Sequence, residues 1–241
     1  LVICQISFSN VTVISYGSSW KYLDNGTDQG TTWTAIGFND ASWLSGNGQL
    51  GYGDGDETTV LNAGCTPVAT CTSKFITTYF RKNITIGSTT TYVNYTLNVK
   101  RDDGVIVYID GTEVYRNNIA AGAFNYLTLA TNAADDGNGI QTTTLSLAQL
   151  PTGNHTIAVE IHQTTASSSD ISFDLELVAN ENNASVVRGP YLNMATQNSI
   201  HVRWRTNINA NSVVNFGTID GSLTSTVTDA TLTTEHDVTI T

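Results

Sequence analysis

Alternation of apolar and polar residues runs through most of this chain. Segments 157–162 and 173–177 place Ile, Val, Leu or Phe at every second position. A period of two puts the apolar side chains on one face of a β-strand. Segments 79–86, 92–99 and 105–109 are enriched in the β-branched and aromatic residues that favour strands. The sequence therefore predicts an all-β protein of short strands.

The connections between these strands are rich in Gly, Asn and Asp, which tolerate the backbone conformations of tight turns. Asp102-Asp103-Gly104 and Asp110-Gly111 follow one another closely. We expect them to form two successive hairpin turns within residues 97–114.

A new β pattern begins after the Asn-rich stretch and continues to Thr241. An immunoglobulin-type sandwich needs about seven strands and roughly 100 residues, and residues 188–241 are too few for one. We expect a first domain at 11–179, a linker at 180–187 and an incomplete β-sandwich at 188–241. Trp204, in an alternating strand, is the expected core tryptophan of the second sandwich.

Composition narrows the class of protein. The chain has 10 basic and 21 acidic residues, a net charge of -11, which opposes binding to nucleic acid or to anionic membranes. With 40% hydrophobic and only 13% charged residues, it is typical of extracellular β proteins. Residues 1–10 are apolar and then small and polar, which favours the remnant of a secretory signal over an ordinary first strand. We expect a secreted or cell-surface protein with no membrane span.

Cys65 and Cys71 enclose a short loop that contains Pro67. A disulfide can span this separation in an oxidising compartment. A metal-binding pair is the weaker alternative, because no second Cys/His pair accompanies it.

Carboxylates gather in the Asp-rich loop at 53–57, which suggests a structural Ca²⁺. Hard cations take six to eight oxygen ligands from carboxylates, amides and carbonyls. The loop lacks the EF-hand spacing, and Asp/Gly turns often bind no ion, so both interpretations stay open. The candidate calcium ligands are Asp24, Asp54, Asp56, Glu57 and Asp170.

A carbohydrate surface needs an aromatic platform and hydrogen-bonding side chains, because sugars present apolar C–H faces and many hydroxyls. The polar faces of the alternating strands carry aromatic side chains as well as hydrogen-bonding side chains. Trp20, Trp33 and Trp43 are interpreted as covers for the ends of the sandwich, and a Glu160–His162 pair is also common on ordinary strand surfaces. The candidate carbohydrate-binding residues are Tyr79, Arg81, Arg101, Glu160, His162, Asp174 and Glu176.

About two thirds of the chain resembles the galactose-binding-domain-like jelly roll of secreted multidomain bacterial proteins. Its middle is also similar to the sugar-binding sandwich of β-galactosidases, where Asn usually stands at the position of Asp110. The resemblance implies a jelly-roll β-sandwich that binds carbohydrate and holds a structural Ca²⁺. It rests on segments 19–26, 50–57, 78–82, 102–114, 159–163 and 169–177.

The second part resembles the fibronectin-III-like domain that precedes the catalytic domain of purple acid phosphatases. This resemblance implies that the parent is a secreted metallophosphoesterase, with its two-metal centre in a C-terminal catalytic domain beyond Thr241. No catalytic residue is assigned in this chain. The alternative is a carbohydrate-binding or adhesive protein of β-sandwich modules without enzymatic activity, or a pure scaffold. The resemblance rests on segments 188–192, 200–206, 213–218 and 236–240.

Overall fold

The computed structural model describes residues 2–3, 10–89, 92–132, 138–181, 184–219 and 222–241. These residues are almost entirely β, as the alternation predicts, with two short 3₁₀ helices, η1 and η2. The elements in chain order are β1 (Val2–Ile3), β2 (Val11–Ile14), β3 (Ser19–Leu23), η1 (Thr32–Thr34), β4 (Leu44–Asn47), β5 (Leu50–Tyr52), β6 (Thr59–Val60), η2 (Val68–Thr70), β7 (Thr77–Ile86), β8 (Tyr92–Asp102), β9 (Gly104–Ile109), β10 (Thr112–Asn117), β11 (Ile140–Leu145), β12 (Gly153–His162), β13 (Ile171–Glu181), β14 (Val186–Asn193), β15 (Ile200–Phe216) and β16 (Ser225–Ile240).

The chain divides into two compact units. The larger unit comprises residues 11–180, and the smaller comprises residues 1–10 with 181–241. The second division falls at the start of the segment predicted as a linker, 180–187. Neither short helix in the described residues is long or apolar enough to cross a membrane.

The larger unit is a sandwich of two six-stranded sheets. The first, which we call the cavity sheet, has the order β10-β9-β12-β7-β3-β4; the second has β11-β8-β13-β5-β6, with β2 also paired to β13. Apolar side chains from both sheets meet between them. The ring of Phe173 on β13 lies 4.3 Å from Phe80 on β7 and 5.0 Å from Trp20 on β3, measured between centroids.

Strand alternation decides which side chains of the cavity sheet face away from this core. Phe80, Val107 and Val159 point inward and are fully buried. Their neighbours in sequence therefore point outward. On that outer face they form a second apolar cluster together with residues of the segments 24–43 and 118–132, which cover the sheet. The buried members of this cluster are Trp33, Trp43, Tyr79, Ile106, Tyr108, Ile119, Ala130 and Ala158.

One of the two expected hairpins is wrong. Asp110-Gly111 does form a tight turn between β9 and β10, with φ of 50° and 88°. Asp102-Asp103, however, passes the chain from the second sheet, which holds β8, to the cavity sheet, which holds β9. Both carboxylates are buried at this corner instead of standing in solvent. The sequence shows a turn at this point but not that the flanking strands belong to different sheets.

A disulfide joins Cys65 and Cys71, whose Cα atoms are 6.1 Å apart. It closes the loop that contains η2 (Val68–Thr70). This loop leads to β7, the strand that supplies Tyr79 to the outer face of the cavity sheet.

The described strands of the smaller unit form one four-stranded sheet around β15. Its core includes Trp204, as expected, and the ring of Trp204 stacks on His236 at 4.5 Å between centroids. Val2–Ile3, from the segment predicted to be a signal remnant, pairs with the end of β15. Leu1 and residues 4–9 of that segment lie outside the described residues.

Candidate functional site

A cavity of about 640 Å³ opens on the outer face of the cavity sheet. It lies between the segments 24–43 and 118–132, which cover either side of the sheet face. Five aromatic rings line it, and polar groups stand among them. The aromatic lining residues are Trp33, Tyr79, Tyr108, Phe124 and Tyr126, and the main polar ones are Asp28, Thr31, Thr34, Asn125 and Glu160.

Trp33 is the centre of the aromatic wall. Its ring centroid lies 4.8 Å from Tyr79 and 5.9 Å from Tyr108, both with edge-to-face geometry, and 6.1 Å from Trp43. Edge-to-face pairs at these distances are favourable beyond the area they bury. The wall is therefore a packed, preformed surface. Phe124 and Tyr126 are only half-buried and complete the opposite side.

Arg81 fixes the segment that carries Trp33. Its Nε donates to Asp40 Oδ2 at 2.9 Å, and its Nη1 donates to the carbonyls of Trp33 and Ala35. The guanidinium also stands 5.1 Å from the ring of Phe38. Only 1% of Arg81 is exposed, so this predicted sugar ligand instead holds the covering segment in place.

Glu160 forms the floor of the cavity. On β12 it lies directly opposite Tyr79 of β7 and Ile106 of β9. The next row of the sheet has Ala158 opposite Tyr108, and this small residue leaves room for the phenol. The Tyr108 hydroxyl donates to Glu160 Oε1 at 2.6 Å.

Burial raises the pKa of Tyr108, and the negative charge of Glu160 raises it further. Burial and the same carboxylate also raise the pKa of Tyr79. Both phenols therefore keep their protons through the physiological range and can act as hydrogen-bond donors to a carboxylate or a ligand oxygen.

His162 stands behind the floor. Its Nδ1 is 2.7 Å from the carbonyl oxygen of Thr128 and 3.1 Å from the hydroxyl of Thr77. A carbonyl can only accept, so Nδ1 carries the proton. Nε2 lies 3.2 Å from Glu160 Oε2 but makes no hydrogen bond of acceptable geometry. His162 thus lies behind Glu160 and outside the cavity lining.

The remaining predicted carbohydrate residues lie away from the cavity, on strands of the second sheet. Arg101 donates to Asn117 Oδ1 at 2.8 Å. Asp174 accepts from the backbone N–H groups of Gly17 and Leu175, both at 2.9 Å, and burial raises its pKa. Glu176 accepts from Asn98 at 2.9 Å. Of the predicted set, the structure brings together Tyr79, Arg81, Glu160 and His162.

Four of the five aromatic lining residues were not among the predicted ligands. Trp33 was interpreted as a cover for the end of the sandwich, whereas it packs on the outer face of the cavity sheet. Alternation with Val107 and Ile109 indicates that Tyr108 faces away from these two residues, but only the pairing of β9 with β12 places it on the same sheet face as Glu160. Phe124 and Tyr126 lie in a segment without periodicity, so no strand signal reports their position.

Three of the five predicted calcium ligands come together. Ligand oxygens of Asp54, Asp56 and Glu57 lie within 4.8 Å of one another on an exposed loop. The two Glu57 oxygens accept from the backbone N–H groups of Asp54 and Gly55, each at 3.0 Å. Asp54 also accepts from Ser172 Oγ and Asp56 from Gln49 Nε2, each at 3.0 Å. The cluster is thus an ordered turn whose three carboxylates all accept hydrogen bonds from the protein.

The other two predicted calcium ligands lie elsewhere. Asp24 is buried and accepts from the backbone N–H of Asn62 at 2.6 Å. Asp170 is buried next to Asp102 and Asp103. Burial, hydrogen bonding with Asp170 and the charge of Asp103 raise the pKa of Asp102 to about 9. Asp103 in turn accepts from the Thr164 backbone N–H at 2.7 Å.

No protein-family model and no curated protein matches this chain. Similar solved structures include a glycosyl hydrolase family 2 member from Bacteroides cellulosilyticus, at 10% identity and a TM-score of 0.45, over 94% of this chain and 30% of that chain. A β-glucuronidase from Bacteroides uniformis is 12% identical with a TM-score of 0.45, over 96% of this chain and 27% of that chain. A β-glucuronidase from Ruminococcus gnavus is 10% identical with a TM-score of 0.45, over 99% of this chain and 40% of that chain. The chain spans less than half of each of these proteins, and a likeness at this level supports no conclusion about activity.

Proposed function

We propose that the larger unit is a carbohydrate-binding module and that its ligand occupies the aromatic cavity. The observation that carries the proposal is the combination of five aromatic side chains with a buried carboxylate, Glu160, at the floor of one preformed cavity. The volume of about 640 Å³ falls in the range of small-molecule sites.

The chemistry of the lining fits a sugar. The side chain of Tyr126 is only half-buried, which leaves its ring available to the C–H face of a pyranose. Phe124 is also half-buried, and the Arg116 guanidinium stands over its ring at 4.5 Å from the centroid, so a sugar would use the opposite side of this ring. Glu160 accepts hydrogen bonds from sugar hydroxyls, while Asn125 and Thr31 at the rim both donate and accept. Apolar walls with a few convergent polar groups are the usual design of a ligand site.

Titration calorimetry of the full chain with soluble oligosaccharides, chosen from a glycan array, tests the proposal. Phe124→Ala and Tyr126→Ala should each weaken binding about tenfold, since a lost stacking surface corresponds to about 1.4 kcal/mol. Tyr191→Ala is the matched control, because this exposed tyrosine lies in the smaller unit. Binding that survives both cavity substitutions, or no binding to any glycan, would overturn the assignment.

For the parent protein, we keep the metallophosphoesterase as a proposal. It is supported by the resemblance of segments 188–192 and 200–206 to the domain that precedes purple acid phosphatase centres. Sequencing the gene downstream of Thr241 tests it. We expect the Gly-Asp and Gly-Asn-His ligand motifs of a two-metal centre within roughly 250 residues, the upper size of a typical domain. A downstream sequence that lacks these motifs would contradict the metallophosphoesterase proposal and leave the carbohydrate-binding proposal unaffected.

A further inference from the structure

The cavity is acidic as well as aromatic. Asp28 at the rim and Glu160 at the floor are its charged lining residues, and among the described residues no Lys, Arg or His lines it. Nothing in the lining itself therefore balances these two negative charges.

The basic side chains closest to the cavity are already occupied. Arg81 is bound to Asp40 and to carbonyl groups beneath the aromatic wall. Arg116 donates to both carboxylate oxygens of Glu113, at 2.9 and 2.6 Å, and to the carbonyl of Ala120 at 2.8 Å. Both guanidinium groups thus have their own partners, and neither forms an ion pair with Glu160. The Arg116 guanidinium also stands 4.5 Å from the ring centroid of the lining residue Phe124, so its charge attracts Glu160 from outside the lining without contacting it.

His162 is the basic side chain behind Glu160, but it does not line the cavity. Its Nδ1 donates to the carbonyl of Thr128, and Nε2 lies 3.2 Å from Glu160 Oε2 without a hydrogen bond. The hydrogen bond that Glu160 accepts comes from the Tyr108 hydroxyl.

The aromatic rings of the cavity also favour a positively charged ligand. The faces of Trp, Tyr and Phe carry partial negative charge and attract ammonium groups within about 6 Å of the ring centre. Trp33, Tyr79 and Tyr108 line the same cavity as Glu160. A cation placed there gains from the rings and from the carboxylate together, whereas an anionic sugar would be repelled by both.

We propose that the cavity selects an amino sugar with a free ammonium group, such as a glucosamine unit, over neutral and acidic sugars. This inference rests on the proposed carbohydrate-binding function. The polar rim of Asp28, Thr31 and Asn125 favours a ligand that carries hydroxyls beside its charge, rather than a fully methylated ammonium ion. The ammonium would lie against Glu160, with a ring face of the sugar on Tyr126.

A matched set of β-1,4-linked trisaccharides tests the selection on the full chain. Triglucosamine, tri-N-acetylglucosamine and cellotriose share a backbone and differ at the 2-substituent, and cellotriuronate, which is cellotriose oxidised to the acid at C6, is the acidic member. We expect triglucosamine to bind at least about tenfold more tightly than cellotriose at low salt, with the ratio falling as salt screens the charges. Cellotriuronate should bind least.

Two substitutions locate the effect in the cavity. Glu160→Gln should bring the ratio of triglucosamine to cellotriose affinity close to one, and Asp28→Asn at the exposed rim should lower it by about threefold. Glu176→Gln is the matched control, because it removes one carboxylate from the other sheet and should leave the ratio unchanged. The control separates binding in the cavity from attraction of a polycation to a chain of net charge -11.

The outcomes distinguish this inference from the proposed function. If cellotriose binds in the cavity and triglucosamine binds no better, amino-sugar selection is wrong and carbohydrate binding stands. An equal loss of the ratio in Glu176→Gln would also overturn the selection, since the preference would then come from overall charge. If no trisaccharide and no array glycan binds, both proposals fail.

Discussion

The hydroxyl of Tyr108 donates a 2.6 Å hydrogen bond to Oε1 of Glu160, and both side chains are buried on the outer face of the cavity sheet. The two residues come from neighbouring strands, β9 and β12. This bond fixes the carboxylate at the floor of the cavity and supplies a donor to an otherwise costly buried charge.

Tyr108→Phe should therefore destabilise the larger unit. Loss of a hydrogen bond to a buried charged group costs about 1.5–3 kcal/mol. Urea unfolding monitored by tryptophan fluorescence measures the change, because three of the chain's four tryptophans lie in this unit. Tyr92→Phe, at a half-buried position on β8, is the control and should change stability by less than about 0.5 kcal/mol. Equal effects of the two substitutions would show that the Tyr108–Glu160 bond contributes nothing of its own.

A second prediction concerns the ion pair that holds the covering segment. Asp40→Ala leaves the guanidinium of Arg81 buried without its carboxylate, and we expect a loss of about 3 kcal/mol in the free energy of unfolding. The Trp33 wall should loosen as well, so glycan affinity in the cavity should fall. Asp56→Ala, on an exposed loop, provides the comparison. An Asp40→Ala protein with unchanged stability and affinity would contradict the role assigned to Arg81.

The site was only partly predictable from the sequence, for identifiable reasons. Alternation along β7 and β12 places Tyr79 and Glu160 on outward faces, but only the pairing of the two strands sets them opposite each other. Alternation also predicts that Glu176 points away from the core, but it does not indicate that the strand of Glu176 belongs to the second sheet. Sequence period reports the face of a strand, whereas sheet membership depends on the tertiary fold.

The covering segments are a different case. Phe124 and Tyr126 lie in an irregular segment, and the path of the other segment depends on Arg81, a residue more than forty positions away from Asp40 and Trp33. Long-range contacts of this kind leave no local pattern in the sequence. The all-β class and the tight turn at Asp110-Gly111 were predictable, because the alternation of apolar and polar residues and the Asp-Gly pair are local sequence signals.

The calcium prediction for Asp54, Asp56 and Glu57 can be tested by thermal melting. An ion that binds only the folded state stabilises it, by about 2.7 kcal/mol when its concentration is about 100 times Kd. We expect CaCl₂ to raise the melting temperature relative to EDTA, and the Asp54→Asn/Asp56→Asn/Glu57→Gln protein to lose the difference. MgCl₂ serves as the ion control. Identical melting curves in CaCl₂ and EDTA would contradict the calcium prediction.

The buried carboxyl of Asp102 predicts how the stability of the larger unit depends on pH. Its folded pKa of about 9 lies above the ordinary 3.8, because of burial, Asp170 and Asp103, so the folded state binds the proton more tightly than the unfolded chain. Stability from this group is fully present below about pH 4 and is lost as the pH rises toward 9. The phenol of Tyr52, which is close enough for these carboxylates to raise its pKa, keeps its own proton over the same range.

Urea midpoints of the full chain between pH 5 and 9 measure this dependence. The midpoint of the larger unit should decrease steadily with pH, and Asp102→Asn, which cannot ionise, should flatten the curve. Asp56→Asn removes an exposed carboxyl and should leave the slope as it is. If Asp102→Asn shows the same slope as the unmodified protein, the pH dependence arises from other groups and the proton on Asp102 does not stabilise the corner between the two sheets.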